Sequence, residues 1–330
     1  MKRLLLVSFL VCIFFVMGLS KDVLHMYTAL DENEWPIYVK AFEEATGIDV
    51  QVVRMSSGEL LARVEAEANN PQASIWFGGP AVDQIAAKKK GLLAPYISDM
   101  TKMVQEAFKD PDGYWVGFYF GAIGFASNSE QLEELGVDPP TSWYDLLKPE
   151  FKGRISLAYP YTSGTAYTVL AALVAIMGED EAFEYWKQLH QQIHHYNKSG
   201  SACVTQVGLG EVTVGIAFAH DIVKKGISKG YPVVLTFPKE PTGYEIGAMS
   251  LIKGGPEPEL AQKFIDWMLS VDAQNLMEQW YRIPLNPEAE VAPGSVKMED
   301  VNVIPMDFVY FGKEKDRLIE RWKEEIEYGF

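Results

Sequence analysis

The chain has 330 residues, with 45 Asp and Glu against 29 Lys and Arg, and a formal net charge of -16. That sign argues against a nucleic-acid partner and provides no general field for attracting anions, so an anionic ligand has to be held by local dipoles. Only Cys12 and Cys203 are present, the first inside an apolar leader, so no internal disulfide is expected and stability rests on the core alone.

Residues 1–20 read as a cleaved secretory signal. Lys2 and Arg3 precede an apolar run from Leu4 to Met17, and Gly18-Leu19-Ser20 supplies the small residues that cleavage needs. The run is short for a membrane span, so a retained anchor is the less favoured alternative and a periplasmic, exported protein is expected. The remaining stretch, about 310 residues, is long enough for two lobes with their own cores.

From there strands and helices alternate, the pattern of an α/β protein. A strand over 23–28 leads to an amphipathic helix over 34–46, closed by Gly47. A strand over 49–54 follows, and Met55-Ser56-Ser57-Gly58-Glu59 then opens a helix over 60–69. The run Ser74 to Phe77, with Gly78-Gly79-Pro80 behind it, repeats the arrangement before a helix over 81–90. Tyr114 to Asn128 carries Gly117, Gly121 and Gly124; it is too long for one strand, and its later half is read as a crossing between lobes.

A short N-capped helix is expected at 141–146. The strand 154–158 runs into Tyr159-Pro160-Tyr161-Thr162-Ser163-Gly164-Thr165, and a long apolar helix follows over 166–177. Helix 180–191, strand 193–196 and the turn Asn197 to Ala202 repeat the design, and the strand 212–219 ends at His220-Asp221. A return crossing is placed at 235–244, a strand at 245–252, and helices at 259–269 and 272–281. The predicted organisation is lobe 1 over 21–122 and 240–300, lobe 2 over 123–239, and a C-terminal helical segment over 301–330. Its apolar face is Leu318, Ile319, Trp322 and Ile326.

Ser56-Ser57-Gly58 and Gly78-Gly79 from one lobe, with Thr162 to Thr165 and Ser199 to Ser201 from the other, share a strand, Ser/Thr/Gly turn and helix. Helix N-termini carry unpartnered N–H groups and the positive end of the dipole. Ligands in open α/β sheets bind beyond the carboxyl ends of strands, so the four turns predict a dipole-lined oxyanion cleft.

The ordered set Thr162-Ser163-Gly164-Thr165-Ala166-Tyr167, Tyr196-Asn197-Lys198-Ser199-Gly200, the segment Gly210 to Asp221, and Gly243-Tyr244-Glu245-Ile246-Gly247 resembles solute-binding proteins of ABC importers. The branch is the one usually labelled ferric-iron-binding, and the resemblance spans nearly all of the chain after the leader. It implies a two-lobed type II periplasmic-binding fold with mixed or parallel sheets, helices on both faces and two hinge crossings. It also implies a monomer that serves an ABC permease in the inner membrane, with no cofactor.

Ferric binders of this family hold the ion with adjacent tyrosines where this sequence has His220-Asp221. Phenolates suit the ferric ion and imidazole suits softer divalent metals. Members carrying His-Asp here, with Glu in Gly-Tyr-Glu-Ile-Gly, are similar to sugar-phosphate binders. That resemblance implies a phosphate cradled by Thr162, Ser163, Gly164 and Thr165, with Ser199 beside it. His220, Asp221 and Glu245 would bond sugar hydroxyls, and Ser57 would close from the facing lobe. An aminophosphonate such as 2-aminoethylphosphonate, its ammonium facing the carboxylates, is equally compatible. A ferric ion with an unusual ligand set and a synergistic anion is the runner-up.

An enzyme is not expected. Ser163 lacks a Gly-x-Ser-x-Gly elbow, and His220 and Asp221, as neighbours on an extended segment, would face apart. His190, His194 and His195 form a weak metal candidate, because the helix ends near Gln191 and the other two would alternate on a strand. Trp76 and Phe77 stand next to Gly78-Gly79, at the cleft or beneath it.

Overall fold

The structure, a computed structural model, describes residues 22–329, so the signal-sequence reading of 1–20 lies outside the described residues. Among the described residues no helix is long and apolar enough to cross a membrane. The described residues hold eleven strands in chain order: β1 (Val23–Thr28), β2 (Asp49–Arg54), β3 (Ile75–Pro80), β4 (Leu93–Ala94), β5 (Val116–Asn128), β6 (Ile155–Ala158), β7 (Ile193–Asn197), β8 (Val214–Phe218), β9 (Val233–Thr236), β10 (Tyr244–Ile252) and β11 (Ile283–Pro284).

They form two mixed sheets joined through one strand. In the first, the order is β2-β1-β3-β10-β5, with β1, β2 and β3 parallel and β10 antiparallel to both its neighbours. In the second, the order is β5-β8-β6-β7, with β6, β7 and β8 parallel and β5 antiparallel to β8. The expectation that 114–128 is too long for one strand is corrected here. β5 is a single 13-residue strand, because its halves have different partners. Ala122 pairs with Tyr244 of β10, and Ile123 pairs with Phe218 of β8. A strand so shared is ladder-bonded in both lobes and needs no loop between them. This is the two-lobed type II arrangement.

Each lobe has its own core. In the first, Phe77 stacks on Phe118 at 5.1 Å and meets Phe264 edge-on at 4.9 Å. Trp76 and Phe77 are both fully buried, so they pack beneath the cleft instead of facing it. In the second lobe the helix Gly164–Met177 is apolar on nearly every side, and its residues from Ala166 to Val174 are all buried. A helix with no polar face belongs inside a core, and the rest of the lobe is packed around it.

The predicted helix at 141–146 is a shorter 3-10 turn, Trp143–Leu147, capped by Ser142. The C-terminal segment buries Leu318, Trp322 and Ile326 completely in the second core, with Ile319 half-buried, as its pattern predicts. It also reaches the first lobe. Lys315 Nζ lies 2.6 Å from Asp83 Oδ1, in the helix Ala81–Lys89, and 3.7 Å above the Tyr167 ring. Both charges are buried, a feature that a solvated amphipathic helix does not predict.

Candidate functional site

Four of the predicted turns converge where the lobes meet. The helix Ser57–Ala66 starts on a capping box formed by Ser56 and Glu59. β3 ends in Gly78 and Gly79, with φ of 83° and 86°, left-handed values that only glycine adopts cheaply. A Cβ on Gly79 would stand 2.3 Å from Ser57 Oγ, so the bare glycine seats that hydroxyl at the cavity wall. Opposite, Ser163 caps the helix Gly164–Met177, its Oγ accepting from Ala166 N at 3.4 Å. The N–H groups of Gly164 and Thr165 fall in the first turn, where no intrahelical acceptor exists. Gly200 packs tightly beside them, since a Cβ there would meet Thr165 Oγ1 at 2.1 Å and Ser163 Oγ at 2.8 Å.

These turns line a cavity between the lobes. Ser57, Ser163, Gly164, Thr165, Ser199, His220, Asp221 and Glu245 all line it. Thr162 does not. Its Oγ1 donates to Tyr159 O and Lys198 O, and its carbonyl accepts from Gly58 N of the other lobe at 3.0 Å. Thr162 is therefore a lobe-to-lobe contact at the edge of the cradle.

His220 and Asp221 are not on extended chain. They open the helix Ala219–Lys225, and both side chains turn into the cavity, with His220 Nε2 3.7 Å from Asp221 Oδ2. The opposite-faces argument is corrected on that point, because residues in a first helical turn can converge where strand neighbours diverge. The ring stacks on Phe218 at 5.5 Å, and its Nδ1 faces Gly121 of β5, where a Cβ would meet it at 2.6 Å. Burial pushes the imidazole well below its usual range, and the nearby Arg282 guanidinium adds to this, so it is neutral.

Sequence reasoning missed the side chain at the centre of the cluster. Arg282, just ahead of β11, holds Glu34 by two parallel bonds, the Nη2–Oε2 member at 2.8 Å. Its Nη1 donates to His220 Nε2 at 2.8 Å and to Glu245 Oε1 at 3.4 Å. Glu34 is fully buried. Burial raises its carboxyl above the ordinary range, and the guanidinium opposes that shift. Burial also pushes Glu245 up to about 8, against the opposing pull of Arg282, and raises Asp221 in the same way. No local signal could have found Arg282, because its partner Glu34 lies 248 residues away and reads from sequence as an ordinary helix start.

Further contacts cross the cleft. Lys225 Nζ donates to Asp31 Oδ2 at 2.9 Å while also bonding Ser201 Oγ of its own lobe at 3.0 Å, and Trp280 Nε1 donates to Asp221 Oδ1 at 3.3 Å. With Gly58–Thr162 and Arg282–His220 they hold the two lobes together around the cavity. The lining thus falls into two groups, one of N–H and hydroxyl donors at helix starts, the other of carboxyl groups, an imidazole and the Arg282 guanidinium, and Arg54 lines the cavity as well.

The other histidines lie elsewhere. His194 and His195 are on β7 with their Nδ1 atoms 2.7 Å apart, touching instead of alternating, and His190 is bonded to the Tyr196 hydroxyl at 3.0 Å. Among the described residues no group of three or more His, Cys, Asp or Glu is arranged to hold a metal ion.

Residues 77–310 match the model of the family described as bacterial extracellular solute-binding protein. The chain belongs to that family. It is similar to the periplasmic binding protein AfuA from Actinobacillus pleuropneumoniae, solved with exogenous fructose-6-phosphate bound. The two share 36% identity at a TM-score of 0.90, over 93% of this chain and 99% of that one. A putative 2-aminoethylphosphonate-binding periplasmic protein of Salmonella typhimurium is 27% identical over 259 residues, 75% of this chain and 73% of its own length. Iron-bound HitA from Pseudomonas aeruginosa has a TM-score of 0.79 at 22% identity, over 91% and 98% of the two chains, which shows a common fold. The family is one of periplasmic ligand carriers, and the solute-binding reading of the motifs stands.

Proposed function

We propose that this protein captures a small organic anion bearing a phosphate or phosphonate group and delivers it, chemically unchanged, to an ABC permease in the inner membrane. The observation that carries the reading is the two-ended cavity. Gly164 and Thr165 N–H, with the Ser163 and Ser57 hydroxyls, make one end an oxyanion cradle at helix starts. His220, Asp221 and Glu245 make the other end, where carboxyls and a neutral imidazole match hydroxyl groups that both donate and accept. The fructose-6-phosphate bound to AfuA supports a ligand of that two-ended kind. Closure is a hinge motion about β5 and the return into β10, stabilised by ligand contacts to both lobes.

A ferric ion fits less well. The atoms that would ligate it, His220 Nε2 and Glu245 Oε1, already accept from a guanidinium, and two tyrosines are replaced by His220 and Asp221. The test is calorimetry with glucose 6-phosphate and with glucose. Binding of the phosphorylated sugar alone supports the reading. Equal binding of glucose removes the phosphate cradle from the account.

A further inference from the structure

The carboxyl-rich end of the cavity is less anionic than its sequence suggests. Asp31, Asp221 and Glu245 line it and Glu34 lies just behind, a set that taken alone would welcome an ammonium group. Basic groups are threaded among them. Lys225 Nζ sits on Asp31 Oδ2 at 2.9 Å. Arg282 takes both oxygens of Glu34, and its Nη1 lies between His220 and Glu245.

Arg282 is 4% exposed, and its guanidinium lies 3.8 Å over the Tyr119 ring. That ring is itself seated on Gly247, where a Cβ would approach Tyr119 Cε1 to 1.9 Å. The column Gly247, Tyr119, Arg282 fixes a permanent positive charge at the reading end of the pocket, and guanidinium does not deprotonate in proteins.

We propose that Arg282 is a specificity-determining residue that makes this end of the cavity prefer a hydroxyl to an ammonium. The inference rests on the organophosphate reading above. An ammonium donating to Glu245 Oε1 or His220 Nε2 has to displace or abut Nη1, a like charge in a desolvated pocket. A hydroxyl meets no such conflict, since it accepts from the guanidinium and donates to a carboxyl oxygen at once. The bidentate Glu34 bond holds Arg282 in that place, so its charge cannot swing away to admit a cation.

The experiment compares 2-hydroxyethylphosphonate with 2-aminoethylphosphonate by calorimetry on the whole protein, and glucose 6-phosphate with glucosamine 6-phosphate. The hydroxyl member of each pair is expected to bind at least about tenfold more tightly, since like-charge juxtaposition is strongly penalised. Arg282→Lys keeps the charge and should keep the preference at lower affinity. Glu34→Gln with Arg282→Gln removes both charges and should bring the ratio within about threefold, a change a purely structural role would not cause. If that pair of substitutions does not fold, the wild-type ratio and Arg282→Lys decide. An amine bound as tightly as its hydroxyl partner, or a ratio unmoved in the double variant, overturns the proposal. Failure of every phosphate and phosphonate to bind refutes the organophosphate reading, and this inference with it.

Discussion

Gly58 stands at a close backbone approach of the two lobes, and replacing it with alanine should separate folding from closure. A Cβ at this position would lie 2.2 Å from the Tyr161 carbonyl oxygen and 2.9 Å from Thr162 C. Both are backbone atoms of the other lobe, so no side chain can move aside. The contact has to retreat by about 1 Å to reach ordinary van der Waals distance, which also stretches the Gly58 N to Thr162 O bond of 3.0 Å. Losing that bond costs about 1 kcal/mol, and strain at the neighbouring cleft contacts adds to it, so ligand affinity should fall about ten- to a hundredfold.

The effect on the empty protein has the opposite sign. Gly58 sits in the first turns of the helix Ser57–Ala66, where alanine is the better helix former by up to about 1 kcal/mol. The unliganded melting temperature should therefore hold or rise slightly. Calorimetric titration with glucose 6-phosphate, together with thermal melting and X-ray scattering of the saturated protein, reads both terms. Unchanged affinity and an unchanged radius of gyration would refute the claim that this contact belongs to the ligand-holding form.

Gly121→Ala places a Cβ 2.6 Å from His220 Nδ1 and Cε1 on a strand paired on both sides, so the ring must turn and give up Arg282. Affinity should drop about tenfold, with overpacking costing about 1–3 kcal/mol of stability, both measurable by calorimetry and urea titration. Burial raises the Glu245 carboxyl from 4.5 to about 8, so the native state binds a proton that the unfolded chain releases near 4.5. That contribution is full below about pH 4.5 and is lost as pH rises through about 8, a change of a few kcal/mol. Glu245→Gln should flatten the fall in stability between those limits, and an identical pH profile in the variant would contradict the assignment. Lys315→Met leaves Asp83 buried without its cation and should cost about 3–5 kcal/mol in denaturant unfolding, most of it regained when Asp83→Asn is added.

The sequence made the cleft legible because its parts are local. Ser56-Ser57-Gly58, Gly78-Gly79, Ser163-Gly164 and Ser199-Gly200 each announce a helix start after a strand, and four such starts imply a common face. Long-range chemistry was not legible. Arg282 has meaning only beside Glu34, His220 and Glu245, three residues from three distant segments that no spacing rule connects. The extent of β5 is not legible either, because strand length is set by its partners, and here they change at Ala122 and Ile123. His220 and Asp221 read from sequence as the end of a strand, whereas the helix Ala219–Lys225 begins one residue before them. Lys315 reads as one more charge on a surface helix, and only the packed structure shows it reaching Asp83 between the lobes.

The central claim, an organophosphate carrier on a fold shared with ferric binders, is tested most directly by thermal melting of the metal-stripped protein. Glucose 6-phosphate and ferric citrate would be compared at matched concentrations. A ligand at about a hundred times its dissociation constant adds roughly 2.7 kcal/mol to the folded state, a shift of several degrees. The account predicts that shift with the sugar phosphate and none with ferric citrate. A shift with ferric citrate alone would contradict it and turn the helix-start cradle into the anion site of a metal carrier.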